Sequence, residues 1–296
     1  MISDRLLSAI RRLLKNVDIR IERRRRGVVQ SVPKTNGLEE EMTRFLLSIE
    51  HGNPSDSAYL QAHLQRLVRT LTLVPPHGRR ALELGSYGHM AAALKHVAGY
   101  ADVRGAYYGE PGADRKTLPI RNQPGFILDV DLFDAERHPF PYADGEFDLV
   151  LCCELIEHLI RDPMHMLFEC HRILSPGGLL VLTTPNTASY SSVACALHGW
   201  RNPQVFSTYP APGHADTPHV REYTPREIAD AVTAAGFEVE ALFTERAAAP
   251  DEGAWVKALL EREGFDTALR GEQTYCVARK QTGLPRDRHP NWLYDK

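Results

Sequence analysis

The chain has 296 residues, 43% of them hydrophobic and 25% charged, with 35 Lys+Arg against 38 Asp+Glu. These proportions exclude a collagen-like, low-complexity or disordered chain and allow a sizeable core. The formal charge of -3 argues against a dedicated nucleic-acid binder, whose footprint is usually basic.

That total hides a split. Residues 1–30 carry nine Lys/Arg and three Asp/Glu, a net of +6, so residues 31–296 carry -9. Residues 2–21 read as an amphipathic helix: Leu6, Ile10, Leu13, Val17 and Ile21 recur at three- and four-residue steps. Arg5, Arg11, Arg12 and Lys15 fall on the other side, and Arg23–Arg26 follow. A basic arm over residues 2–26 can lie on an anionic membrane face; the plainer reading is packing on the protein's own body or on a partner subunit. No apolar run approaches the roughly 18 residues of a membrane span. The five cysteines, Cys152, Cys153, Cys170, Cys195 and Cys276, show no C-x-x-C spacing. Neither a disulfide framework nor a structural zinc site is expected, and a reducing cytoplasm is the simplest location.

Taken in order, residues 1–27 form the basic helix and residues 28–79 a helical N-terminal extension. In that extension Leu38, Met42, Phe45 and Ile49 mark one helix. Tyr59, Leu60, His63, Leu64, Leu67, Val68 and Leu71 mark a second, with Asp56 near its start as a candidate cap. From residue 80 the texture changes to strand alternating with helix. Strands are expected at 81–84, 103–108, 126–128, 147–152, 179–183, 237–243 and 274–279. Helices are expected at 90–97, from Asp162-Pro163 to about Leu174, and from the Thr224…Glu227 capping box to Ala235. This alternation predicts an α/β domain over 80–281 with a mostly parallel sheet covered on both faces. Residues 244–273 read as an insertion and 282–296 as a surface tail.

Ala81-Leu82-Glu83-Leu84-Gly85-Ser86-Tyr87-Gly88 delivers an acidic residue and then a glycine turn from a buried strand into a helix. In a doubly wound sheet such turns sit where ligands bind. Phe126–Asp131 ends in carboxylates, Pro139–Val150 leads into the next strand, and Cys153-Glu154-Leu155-Ile156-Glu157-His158 follows it. Arg172-Ile173-Leu174-Ser175-Pro176-Gly177-Gly178 and Thr183-Thr184-Pro185-Asn186 complete the series.

This ordered set closely resembles the class I S-adenosylmethionine-dependent methyltransferases. The resemblance implies a Rossmann-like sheet of seven strands, the last antiparallel, with S-adenosylmethionine laid across the carboxyl ends of the first strands. It matches Glu83, Gly85, Ser86, Tyr87 and Gly88 to the first cofactor motif. Asp131, with Asp129 as fallback, matches the carboxylate near the adenine, and Cys153 and Glu154 match the lining of the cleft. Two departures stand out: Tyr87 replaces a glycine, and Tyr107 occupies the place of the acidic residue that holds the ribose.

Methyl transfer from a sulfonium is an in-line displacement that depends mainly on positioning. A hydroxyl acceptor also needs a base, for which histidine is suited near neutral pH. His158, His214 and His219 are the candidates. His219-Val220-Arg221-Glu222-Tyr223-Thr224 resembles a segment of bacterial methyltransferases encoded with cell-surface glycan genes, which makes Arg221 and Tyr223 candidates for acceptor binding. The competing reading pairs Arg221 with Glu222 and packs Tyr223 ahead of the Thr224 cap. Trp200, Tyr190, Phe206 and Tyr209 suit either a sugar ring or lid packing. A His214/His219/Asp216 metal cluster has generic spacing, and no metal is expected. The expectation is methyl transfer to a small or glycan-like acceptor, probed against a non-catalytic binding module. The oligomeric state stays open.

Overall fold

The computed structural model describes residues 35–50, 54–122, 124–199, 202, 204, 218–246, 254–284 and 286–294. The basic arm, His214, Asp216, Trp200, Phe206 and Tyr209 lie outside the described residues. Among the described residues no helix is long and apolar enough to cross a membrane.

Two helices precede the sheet, α1 (Glu39–Leu46) and α2 (Pro54–Thr72). Helix α2 begins at Pro54, so Asp56 sits inside its first turn rather than at the cap. The sheet elements then follow: β1 (Arg80–Leu84), α3 (His89–His96), β2 (Asp102–Tyr107), β3 (Gly112–Leu118), β4 (Phe126–Leu132), β5 (Phe147–Cys153), α4 (Pro163–Ile173) and β6 (Leu174–Pro185). The chain closes with α5 (Tyr190–His198), α6 (Pro225–Ala234), β7 (Phe237–Glu245), α7 (Ala254–Arg262) and β8 (Gln273–Lys280).

The sheet has eight strands in the order β3-β4-β2-β1-β5-β6-β8-β7. The five strands from β4 to β6 pair in parallel, and β8 inserts antiparallel between β6 and β7. The seven expected strands are all present. The eighth, β3, pairs antiparallel with β4 at the edge. Its side chains are polar and mostly exposed, so it lacks the apolar alternation by which a half-buried strand is recognised. Arg115 on β3 pairs with Asp129 directly opposite on β4 at 2.8 Å.

One face of the sheet is covered by α1, α2 and α3 through Met42, Leu46, Leu71 and Leu94, so the extension shares the sheet's own core. The other face is covered by α4 and α6 through Leu167, Ile173, Ile228 and Val232. The helix starts follow local chemistry. Asp162 Oδ1 accepts from the His165 amide at 3.1 Å. Thr224 and Glu227 exchange reciprocal bonds with each other's amides, closing the capping box. Tyr190 lies at the start of α5, where its hydroxyl donates to the carbonyl of Thr267, between α7 and β8; β7 runs to Glu245, so the segment expected as an insertion from 244 starts later.

Candidate active site

The glycine turn after β1 is built around a buried carboxylate. Glu83 Oε2 accepts from the Ser86 hydroxyl at 2.7 Å and from the Ala91 amide at 3.0 Å, inside the first turn of α3. Burial lifts the Glu83 carboxyl to about 7, against the pull of these two donors and of the Lys116 charge. Ser86 Oγ in turn accepts from the Gly88 amide at 3.0 Å. Gly85 has φ +67°, and a Cβ there would meet Leu155 Cδ1 at 3.9 Å, so the backbone stays open to a ligand on the cavity side. Gly88, at φ +90°, fits closely under β3: a Cβ there would meet Leu118 at 2.6 Å. Lys116, also on β3, donates to the Ser86 carbonyl at 2.7 Å and lies 4.7 Å over the Tyr107 ring. The unexpected strand therefore braces the turn from outside.

A cavity of about 440 Å³ opens at the carboxyl ends of β1, β2 and β5. Gly85, Tyr87, Tyr107 and Tyr108 line one side, and Phe133, Asp134 and Ala135 continue the wall beyond β4. Glu154 and His158 line another side, while Tyr59, His63 and Arg66 enter from α2. Glu83, His89 and Cys153 lie on a small adjoining recess that shares Gly85, Tyr87 and Glu154. Burial pushes the Cys153 thiol up to about 12, as suits a packing residue rather than a nucleophile.

Asp131 and Asp129 require a correction. Asp131 still belongs to β4, where Arg104 grips both its oxygens at 2.8 and 2.9 Å and the Tyr142 hydroxyl donates at 2.8 Å. Asp129 is held by Arg115. Neither lines the cavity. Beyond β4 the lining carboxylates are Asp134, two residues past the strand end, and Glu136. Strand β4 runs four residues beyond the expected end at Leu128, which moves the exit from the sheet, and with it the ligand-facing carboxylate, from Asp131 to Asp134.

Glu154 leaves β5 with φ +50°, a conformation that a non-glycine residue seldom adopts. Its carboxylate accepts from Thr183 Oγ1 and Gln273 Nε2, each at 2.8 Å, and Arg66 stands 3.6 Å away. Next comes a short 3₁₀ turn, Ile156–His158. It aims His158 at the cavity and Glu157 into the protein. His219 packs edge-on against the His158 ring, centroids 4.8 Å apart. His219 Nδ1 bonds Glu222 at 3.0 Å, while Nε2 stands 4.0 Å from Glu157 Oε1. Burial, followed by the nearby Glu154 charge, pushes the Glu157 carboxyl well above the usual carboxylate range.

A model of the methyltransferase domain matches residues 57–242. The chain belongs to the methyltransferase domain family. Among its relatives is an S-adenosylmethionine-dependent methyltransferase of Mycolicibacterium smegmatis, 32% identical over 115 residues, which span 38% of this chain and 36% of that one. The ubiquinone biosynthesis O-methyltransferase of Thiobacillus denitrificans is 28% identical over 171 residues, 58% of this chain and 69% of that one. The chain thus spans from about a third to two thirds of these relatives' lengths. The solved complex between the Haloferax volcanii Trm112 methyltransferase activator and a methyltransferase superposes with a TM-score of 0.51 at 17% identity, covering 81% of this chain and 98% of that one, a likeness of fold. S-adenosylmethionine is the cofactor this family implies. The site fits it in kind: a bare glycine backbone, aromatic and apolar walls, and carboxylates at separate points of a cavity of ordinary ligand size.

Within this methyltransferase domain the remaining candidates separate. Tyr87 and Tyr107 stand on the wall with their rings 5.9 Å apart, and Tyr87 also meets Tyr59 at 5.5 Å. Ser86 and Gly88 shape the turn without lining the main cavity. Arg221 and Tyr223 do not reach the cavity. Tyr223 is fully buried beside α6, and Arg221 bonds Glu227 at 2.8 Å while covering the Tyr223 ring. Glu222, the partner expected for Arg221, binds His219 instead. Tyr59 and His63 were legible only as helix positions, and Arg66 not at all, because α2 precedes the motif series. Helical spacing marked their helix but gave no sign of where it docks.

Proposed function

We propose that the chain transfers a methyl group from S-adenosylmethionine to a hydroxyl oxygen of a small or glycan-like acceptor. The observation that carries this reading is His158 on the cavity wall with His219 packed against its ring. When bound, the cofactor supplies a methyl group already activated on a sulfonium. Gly85, Tyr107, Tyr108 and Asp134 are the groups that would hold it, with Glu154 closing the far side. His158 receives the acceptor at its exposed edge, and the His158–His219–Glu157 cluster is where the hydroxyl proton is given up. Arg66 and Tyr59, bonded to each other, wall the cavity on the α2 side. The relatives named as ubiquinone biosynthesis O-methyltransferases favour oxygen as the methylated atom. The glycan-like class rests on the resemblance of two segments, Glu154–His158 and His219–Thr224.

The second reading is a non-catalytic module on the same fold. Tyr107, standing where a ribose carboxylate is usual, favours it. Incubating the full chain with methyl-labelled S-adenosylmethionine and separate panels of phenols and glycans distinguishes the two. Label transferred to either panel supports the enzyme and names the acceptor class. Cofactor binding with no transfer to any hydroxyl acceptor favours the module.

A further inference from the structure

Glu157 is fully buried, yet its Oε1 has no hydrogen-bond partner among the described residues. An unsatisfied buried carboxylate oxygen is costly and calls for an explanation. The rest of the residue is held firmly. Its Oε2 accepts from Thr184 Oγ1 at 2.9 Å, and its carbonyl accepts from the Val220 and Arg221 amides at 2.8 and 3.2 Å. The orphan oxygen faces His219 Nε2 at 4.0 Å, too long for a hydrogen bond. His219 is fixed from behind by Glu222 on Nδ1, which leaves Nε2 as the inward nitrogen. One donor atom from each of Glu157, His158 and His219 falls within 4.8 Å of the others.

We infer that Glu157, His158 and His219 form a binding site for one divalent first-row cation, with zinc as the best match. Two imidazoles and one carboxylate are a common ligand set for a cation that keeps an open position. The Glu222–His219 bond is the carboxylate support that a metal-ligating histidine usually has. Donors on a tetrahedral zinc stand about 3.4 Å apart, so the cluster closes by roughly 1 Å on binding. His158 lines the cavity, so the open position points toward the acceptor side. The role of the cation, though not its binding, rests on the methyl-transfer reading. With the histidines engaged as ligands in place of a base, an acceptor oxygen on that position would give its proton to water in the cavity more readily and keep the electron pair for attack on the methyl carbon.

The test is titration of the metal-free full chain with Co²⁺ as a visible probe, with zinc competition and metal analysis of the dialysed protein. The expected result is one Co²⁺ per chain, with ligand-field absorption that zinc displaces. Glu222→Gln weakens binding by about 10–100-fold, the usual cost of losing a ligand's supporting partner. Glu157→Gln and His219→Ala weaken it further, and the remote His289→Gln leaves it unchanged. Circular dichroism confirms that the variants are folded. Absence of bound cation in the unsubstituted chain overturns the proposal, as does binding that survives both Glu157→Gln and His219→Ala. Calorimetric titration with S-adenosylmethionine is run in parallel. Cation binding without cofactor binding sinks the methyl-transfer reading and leaves the metal site standing; the reverse result does the opposite.

Discussion

The Arg66 guanidinium lies 3.6 Å from the Glu154 carboxylate, joining a helix outside the sheet to the end of strand β5. Arg66 also donates to the Tyr59 hydroxyl at 3.1 Å. Burial works against its charge, but Glu154 and Tyr59 outweigh burial and raise its pKa. Arg66→Met is expected to cost about 2–3 kcal/mol of stability, because it strips a largely buried carboxylate of its counter-charge. It should also weaken S-adenosylmethionine binding. Urea midpoints and calorimetry check both effects. An unchanged midpoint would show that α2 does not depend on this pair.

Tyr107 separates two modes of holding the cofactor. Tyr107→Phe keeps the ring beneath Lys116 and removes only the hydroxyl. If the hydroxyl bonds the ligand, affinity falls by about 1 kcal/mol, roughly fivefold. Tyr107→Ala also removes the platform and should lose more than tenfold. Equal affinities for all three proteins would remove Tyr107 from the site.

Glu83 makes stability depend on pH near neutrality. Its folded pKa, about 7, stands above its ordinary 4.5, so the folded chain holds a proton that the unfolded chain gives up. Stability should therefore fall as pH rises from 4.5 to 7, by at most about 1.4 kcal/mol per pH unit from this group. Glu83→Gln should flatten that slope. Denaturation series across the window, with and without the substitution, measure it; parallel slopes would contradict the assignment.

Asp162 acts at the opposite end of the pH scale. Burial would raise its carboxyl, but Arg288 and the Tyr294 hydroxyl outweigh it and hold the group at about 2 instead of 3.8. The stabilisation is full above 3.8 and is lost as pH falls through 2. Arg288→Ala should move the acid-unfolding midpoint upward. An unshifted midpoint would mean that the C-terminal tail does not secure α4.

The parts legible in sequence were those written in local chemistry. The Asp162 cap, the Thr224–Glu227 box and the glycine turn each satisfy backbone groups within a few residues, so spacing alone locates them. The seven apolar strands were legible for the same kind of reason. Strand β3 was not, since its pairing with β4 uses backbone bonds that its polar side chains do not reveal. Asp131 and Asp134 lie three residues apart, and only the true end of β4 decides which one leaves the sheet. Arg221 and Tyr223 stand off the described cavity because packing holds them, Tyr223 in the core and Arg221 over its ring. His219 survived as a cluster member because Glu222 turns it toward Glu157.

The cavity bounded by Gly85, Tyr107, Asp134 and Glu154 is expected to receive S-adenosylmethionine. Calorimetric titration of the full chain with S-adenosylmethionine and with S-adenosylhomocysteine tests it most directly, repeated on Asp134→Ala and Asp131→Asn. One site per chain is expected, at least about tenfold weaker in Asp134→Ala and nearly unchanged in folded Asp131→Asn. Binding of neither ligand, or loss in Asp131→Asn with none in Asp134→Ala, would contradict it.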